Sequence, residues 1–170
     1  MREHTSRGGR AARSLLAALM AVIIGVLGAV AVYDTSVQPG AAVVRALLGR
    51  RPLVLPPADF VQVARTVTER RVPIAAAGAP LAHLDIYAPD ATGGQPRPVI
   101  LWVHGGGFIS SSAGTVRDCV ILLAHAGYLV ASLDYALAPG ARYPVPVRQG
   151  NAALRFLPAN AGRFGGDPAR

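Results

Sequence analysis

The apolar run Val99-Ile100-Leu101-Trp102-Val103 is followed at once by His104-Gly105-Gly106-Gly107-Phe108. Pro98 and the glycines bound the run, and its composition predicts a buried strand. Three consecutive glycines at the carboxyl end of such a strand free the backbone to turn sharply. They also let its N–H groups approach a ligand closely. That is what an oxyanion hole requires: fixed donors aimed at a developing negative oxygen. Few other uses suit a glycine loop in this place. A dinucleotide fingerprint fails because Ser110 occupies the last glycine position of a G-x-G-x-x-G starting at Gly105. A phosphate loop fails because no G-K-[ST] follows.

The strand belongs to a larger pattern. Residues 113–126 have helical composition, with Val116, Val120, Leu123 and Ala124 near helical spacing and Gly127 placed to cap the helix. Residues 128–133 form a second apolar strand. Strand, helix, strand predicts a right-handed unit with parallel strands. Upstream, residues 65–74 and 83–87 alternate around Gly78 and Pro80, which predicts an antiparallel hairpin. Downstream, residues 146–157 suit a helix with Pro146 in its first turn. The fold class is therefore α/β.

The N-terminus adds a different element. Residues 14–33 carry no charge, four arginines precede them (Arg2, Arg7, Arg10 and Arg13), and Asp34 follows. A helix of that length measures about 30 Å, the thickness of a bilayer's hydrocarbon core. The flanking charges predict a cytoplasmic N-terminus and an extracytoplasmic remainder. Ala29-Val30-Ala31 also fits a signal-peptidase site, so secretion after cleavage near Ala31 is the alternative. The expected organisation is a basic cytoplasmic tail over 1–13, a transmembrane anchor or signal peptide over 14–33, a juxtamembrane connector over 34–58, and an α/β domain over 59–170. Within the connector, residues 41–48 suit a short helix ended by Gly49. Arg45, Arg50 and Arg51 could face anionic headgroups or water.

Charge and cysteine content exclude several classes. The net charge is +8, and all 17 basic residues are arginine. They are scattered, with no basic helix or aromatic-interleaved patch, so nucleic acid is not an expected partner. Cys119, the one cysteine, cannot form an internal disulfide, and its neighbours suggest a buried helical thiol. There is no H-E-x-x-H and no Cys/His pair, so neither a metal nor a cofactor is indicated.

Four segments now stand in order: Leu84-Asp85-Ile86-Tyr87-Ala88-Pro89, His104-Gly105-Gly106-Gly107-Phe108, Asp134-Tyr135-Ala136-Leu137-Ala138-Pro139 and Phe164-Gly165-Gly166-Asp167-Pro168. Together they resemble the HGGG-bearing esterases of the α/β-hydrolase superfamily, those related to hormone-sensitive lipase or to feruloyl esterases. The resemblance covers about residues 65–170. It implies the N-terminal part of an α/β-hydrolase fold, with an acyl ester as the substrate of the complete enzyme. It implies that Gly106 and Gly107 donate to the oxyanion, and that His104 and Gly105 support the loop. It also makes Asp134 a fold residue and Asp167 the stabiliser of its turn. Two departures stand in the third segment: Ala136 where the family has arginine, and Gly140 where it has glutamate. An internal ion pair or hydrogen bond of the relatives is expected to be missing.

The elbow that presents the catalytic serine in these enzymes, G-x-S-x-G, occurs nowhere in the 170 residues. Ser110, Ser111 and Ser112 lack glycines on both sides and are expected to be solvated or helix-capping. His83 and His125 are expected to be structural. No nucleophile, acid or base is thus assigned in this chain. The expectation is the N-terminal portion of a membrane-anchored serine ester hydrolase, inactive by itself. The alternative is a noncatalytic, membrane-tethered scaffold on a degenerate hydrolase fold. A reporter fused after Arg170 should be active only as an extracytoplasmic reporter. A soluble cytoplasmic product would refute both anchor and signal peptide, and a mature N-terminus at Val32 would select cleavage.

Overall fold

A strand buried on both faces organises the domain. In a computed structural model that describes residues 4–36, 38–48, 56–90 and 95–170, the strand Leu129–Asp134 is buried from Leu129 to Leu133. It lies third in a four-stranded sheet. In chain order the strands are β1 (Val67–Ile74), β2 (Ala82–Pro89), β3 (Val99–Val103) and β4 (Leu129–Asp134), and their spatial order is β1-β2-β4-β3. β1 and β2 form the antiparallel hairpin that their alternation predicts, with Val72 opposite Leu84. β4 is antiparallel to β2 and parallel to β3, with Leu101 opposite Ala131. The parallel pair requires a crossover, and the helical segment between β3 and β4 supplies it.

The remaining elements are helical. α1 spans His4–Thr35, α2 Gln38–Leu48, α3 Phe60–Ala64, α4 Arg117–His125 and α5 Val145–Asn160. The segment expected as one helix over 113–126 is split: Ala113–Val116 is a 3₁₀ turn and α4 follows it. Gly127, at φ +103, ends α4, with its N–H on the Ala124 carbonyl. Cys119 is half-buried, not buried as its neighbours suggested. Gly49, Arg50, Arg51 and Pro52 lie outside the described residues.

The alternation of side chains along β2 and β4 divides the core into two layers. On one face Leu84, Ile86, Leu129, Ala131 and Leu133 pack against Ala152, Ala153 and Leu157 of α5. On the other, Tyr87 and Val130 meet Val63 of α3 and Val120, Ile121 and Ala124 of α4. Burying side chains such as Leu84 or Leu133 stabilises the fold by about 1.5–3 kcal/mol each. Tyr87 is fully buried, and its hydroxyl donates to Glu69 at 3.0 Å. Burial foremost, then the Glu69 charge, pushes that phenol well above its ordinary range, so it stays a neutral donor.

The chain after α5 returns to the edge of β3. Arg97 N–H donates to Gly165 O at 3.1 Å, Asp167 N–H to Arg97 O at 2.6 Å and Val99 N–H to Arg170 O at 2.8 Å. Asp167 Oδ1 accepts the Ala169 N–H at 2.9 Å and holds the turn. Gly166 admits no side chain: a Cβ there would sit 2.5 Å from Leu129 Cδ2 and 2.9 Å from Val99 Cγ2.

Two compact units are distinguished, 1–40 and 41–170. In the first, Ala11–Thr35 forms an apolar helix long enough to cross a bilayer, by length and composition, and its side chains are exposed throughout. The second holds the sheet.

Arg71 of β1 bridges two carboxylates, Asp85 of β2 at 3.4 Å and Asp134 at the carboxyl end of β4. Burial works against the Arg71 cation, but the bond to Asp134 and the charges of Asp85 and Asp134 outweigh it and raise its pKa. The more deeply buried Asp85 goes the other way. Burial pushes its carboxyl above the usual range, and Arg71 offsets only part of that. The fold therefore favours protonated Asp85. That stabilisation is fully present below the unfolded pKa of about 4 and is lost as pH rises through the higher folded value. Urea unfolding at pH 4 and pH 7 should show the Asp85→Asn chain losing less stability across the interval than wild type. Equal slopes would refute the assignment.

Candidate active site: the glycine loop

β3 delivers His104 to the carboxyl edge of the sheet, and β4 delivers Tyr135 beside it. The two rings stack with centroids 4.3 Å apart and planes within 12°. The Tyr135 hydroxyl donates to the His104 carbonyl at 2.8 Å. Burial raises the Tyr135 pKa, which keeps the phenol a donor. His104 is 3% exposed, and its Nδ1 lies 2.8 Å from Gly105 O. A carbonyl can only accept, so Nδ1 carries the proton. His104 is thus buried between the Tyr135 ring and the Gly105 carbonyl.

The next peptides are fixed through their carbonyls. Gly106 O accepts from Ile109 N at 3.1 Å, Ser110 N at 3.0 Å and Ser110 Oγ at 3.1 Å. In a planar trans peptide the C=O and the following N–H point in opposite directions. Anchoring Gly105 O on His104 therefore turns the Gly106 N–H away from that ring. Anchoring Gly106 O inside the turn directs the Gly107 N–H outward. Neither N–H has a backbone acceptor among the described residues. The turn depends on left-handed backbone at Gly106 (φ +116), Gly107 (φ +63) and Phe108 (φ 60). Phe108 presents a half-exposed ring 5.6 Å from Tyr135.

A second loop abuts the first. Ala138 N–H donates to Phe108 O at 2.8 Å. Arg45 of α2 donates from Nε to Ile109 O at 2.7 Å and from Nη2 to Ala138 O at 2.5 Å. Fully buried Gln149 of α5 holds the loop from below, accepting Ala136 N–H at 2.9 Å and donating to Pro80 O at 2.9 Å. At Ala136, where the family has arginine, the backbone is secured by this amide. A cavity of about 320 Å³ opens between α2 and the loops, lined by Arg45, Ser110, Ser111, Ser112, Thr115 and Leu137.

The serines depart from expectation. Ser110 is 2% exposed and bonded within the turn, not solvated. Ser112 precedes the 3₁₀ turn without a side-chain cap, and its hydroxyl lies 3.3 Å from Thr115 Oγ1. His125 pairs with Thr66 at 2.9 Å, while His83 lies on β2 opposite Asp134. Asp134 is held by Arg71 and accepts the Ala113 N–H at 3.4 Å. Among the described residues no group of His, Cys, Asp and Glu side chains could hold a metal ion. Sequence reasoning missed Gln149 and the inward role of Arg45. Tyr135 lay inside a recognised segment, Asp134–Pro139, without a role assigned to it.

Known proteins are similar to this chain over its sheet-bearing part. The BD-FAE family profile matches residues 84–170. Carboxylesterase NlhH of Mycobacterium tuberculosis is 41% identical over 76 residues, 43% of this chain and 23% of that protein. Versiconal hemiacetal acetate esterase of Dothistroma septosporum is 35% identical over 74 residues, again 43% of this chain and 23% of the relative. A bacterial heroin esterase structure superposes with a TM-score of 0.59 at 28% identity, over 78% of this chain and 46% of that one. The matched region thus spans less than a quarter of these two curated relatives.

Replacing Gly106 by alanine should damage the loop more than replacing Gly107. A Cβ at Gly106 would sit 2.3 Å from Ser110 O, whereas one at Gly107 meets nothing within 4 Å. Gly107→Ala should cost about 1–2 kcal/mol for left-handed backbone, and Gly106→Ala more, in chemical denaturation. The reverse order would show that the turn is held otherwise.

Proposed function

Because the chain belongs to the BD-FAE family, an α/β-hydrolase family with esterase relatives, we propose that it supplies the oxyanion half of a membrane-anchored serine carboxylic-ester hydrolase. The nucleophile, acid and base are carried by residues outside 1–170. The observation that supports this reading is the pair of N–H groups at Gly106 and Gly107, whose peptides are anchored through their carbonyl ends and which have no backbone acceptor among the described residues.

In the complete enzyme a serine hydroxyl adds to the acyl carbonyl while a histidine takes its proton. The carbonyl oxygen becomes an oxyanion, and the Gly106 and Gly107 N–H groups, with one from the residue after the serine, receive it. Collapse breaks the acyl–oxygen bond, the alcohol leaves with the histidine's proton, and water repeats the sequence on the acyl-enzyme. His104 and Gly105 support the loop and take no proton from substrate. The reaction needs no cofactor. The apolar helix Ala11–Thr35 is read as the anchor, with the hydrolase part extracytoplasmic and the domain limits those of the charge pattern. The missing G-x-S-x-G favours one competing reading, a noncatalytic tethered scaffold.

Hydrolysis of p-nitrophenyl butyrate separates the two. The full-length gene product should turn over the ester, and residues 1–170 alone should not. Weakening the oxyanion donors by Gly106→Ala should lower kcat of the full-length product by about 10²–10³. A full-length product with no turnover supports the scaffold. Inhibitor-sensitive turnover by residues 1–170 would overturn the assignment of the nucleophile.

A further inference from the structure

Arg45 lies upstream of the family-matched segment 84–170, on a helix that no feature of the glycine loop foretells. We propose that Arg45 is a positioning residue for the oxyanion loop, tying Ile109 to Ala138 and thereby holding the peptides that present Gly106 and Gly107. The inference rests on the oxyanion reading for its catalytic consequence and on geometry for the clamp.

Three bonds close the junction of the two loops: Ala138 N to Phe108 O, Arg45 Nε to Ile109 O, and Arg45 Nη2 to Ala138 O. Both acceptors of the guanidinium are backbone carbonyls, and its planar fork offers two donors at a fixed spacing to span them. A lysine ammonium has the charge but not the fork. Ile109 stands next to the turn that sets the donors, because its own N–H is on Gly106 O. Movement of Ile109 therefore carries the Gly106–Gly107 peptide with it. The loop needs an external brace: an added Cβ at Gly105 or Gly107 would meet no atom within 4 Å, so these residues pack against little. α2 carries the brace on its inner face. Ala41, one turn before Arg45, is buried, while Val43 and Leu47, about half a turn away, face outward. An exposed arginine ordinarily contributes little, but here each bond is charge-assisted and directed at a carbonyl of a functional loop.

The test uses the full-length gene product in lipid nanodiscs, with amide exchange by mass spectrometry beside ester kinetics. In Arg45→Ala and Arg45→Gln, exchange over 104–112 should speed by about tenfold or more, the loss of a charge-assisted bond. Exchange over Ala82–Pro89 should not change, which excludes general unfolding. kcat should fall with KM nearly unchanged, and Arg45→Lys should restore only part of it. Unchanged exchange over 104–112 in both variants overturns the clamp. If Gly106→Ala is inactive while Arg45→Ala keeps wild-type kcat, the inference falls and the site reading stands. If Gly106→Ala keeps full turnover, the oxyanion reading falls, and loop exchange alone decides the clamp.

Discussion

The Tyr135 hydroxyl on the His104 carbonyl joins the ends of β4 and β3, and the glycine loop takes its orientation from that junction. Tyr135 is placed by β4, the strand buried on both faces, so the ring cannot move without disturbing the core. His104 stacks on it and passes the constraint to Gly105 O through Nδ1. A loop of three glycines has no rigidity of its own. It inherits rigidity from two strands whose register the core fixes.

The same end of β4 carries the ionic arrangement. Asp134 is held by Arg71, which also faces Asp85 across the hairpin. β1, β2 and β4 are thereby locked in register one residue before Tyr135. Gln149 secures the following peptide to the β1–β2 turn. A neutral amide and an ionic bridge thus stand around the segment in which Ala136 and Gly140 depart from the family pattern. Neutral hydrogen bonds suit that place, since a buried ion pair carries a desolvation cost that an amide avoids.

The family relationship and the loop geometry are separate observations. The profile match over 84–170 speaks for ancestry, while the loop is defined by carbonyls anchored at Gly105 and Gly106. α2 joins the second compact unit from Ala41 onward. The segment between the apolar helix and the sheet is therefore more than a tether: its arginine touches the loop.

The local elements were legible in the sequence because they rest on local signals. Val99–Val103 is apolar between proline and glycine, residues 65–74 and 83–87 alternate, and Gly127 ends its helix. The glycine loop was legible for the same reason, since only glycine tolerates φ +116 with a carbonyl 2.3 Å from where a Cβ would lie. Sequence order could not give the sheet order, in which β2 pairs with β4 and not with β3. Nor could it show that Ser110 turns inward, that Gln149 spans Pro80 and Ala136, or that Arg45 reaches Ile109 and Ala138. Each of these joins residues far apart in the chain through backbone carbonyls, and a carbonyl leaves no mark in the sequence to say which side chain will reach it. Backbone conformation and hydrophobic pattern are written residue by residue; the partners of backbone polar groups exist only once the packed strands have set the distances.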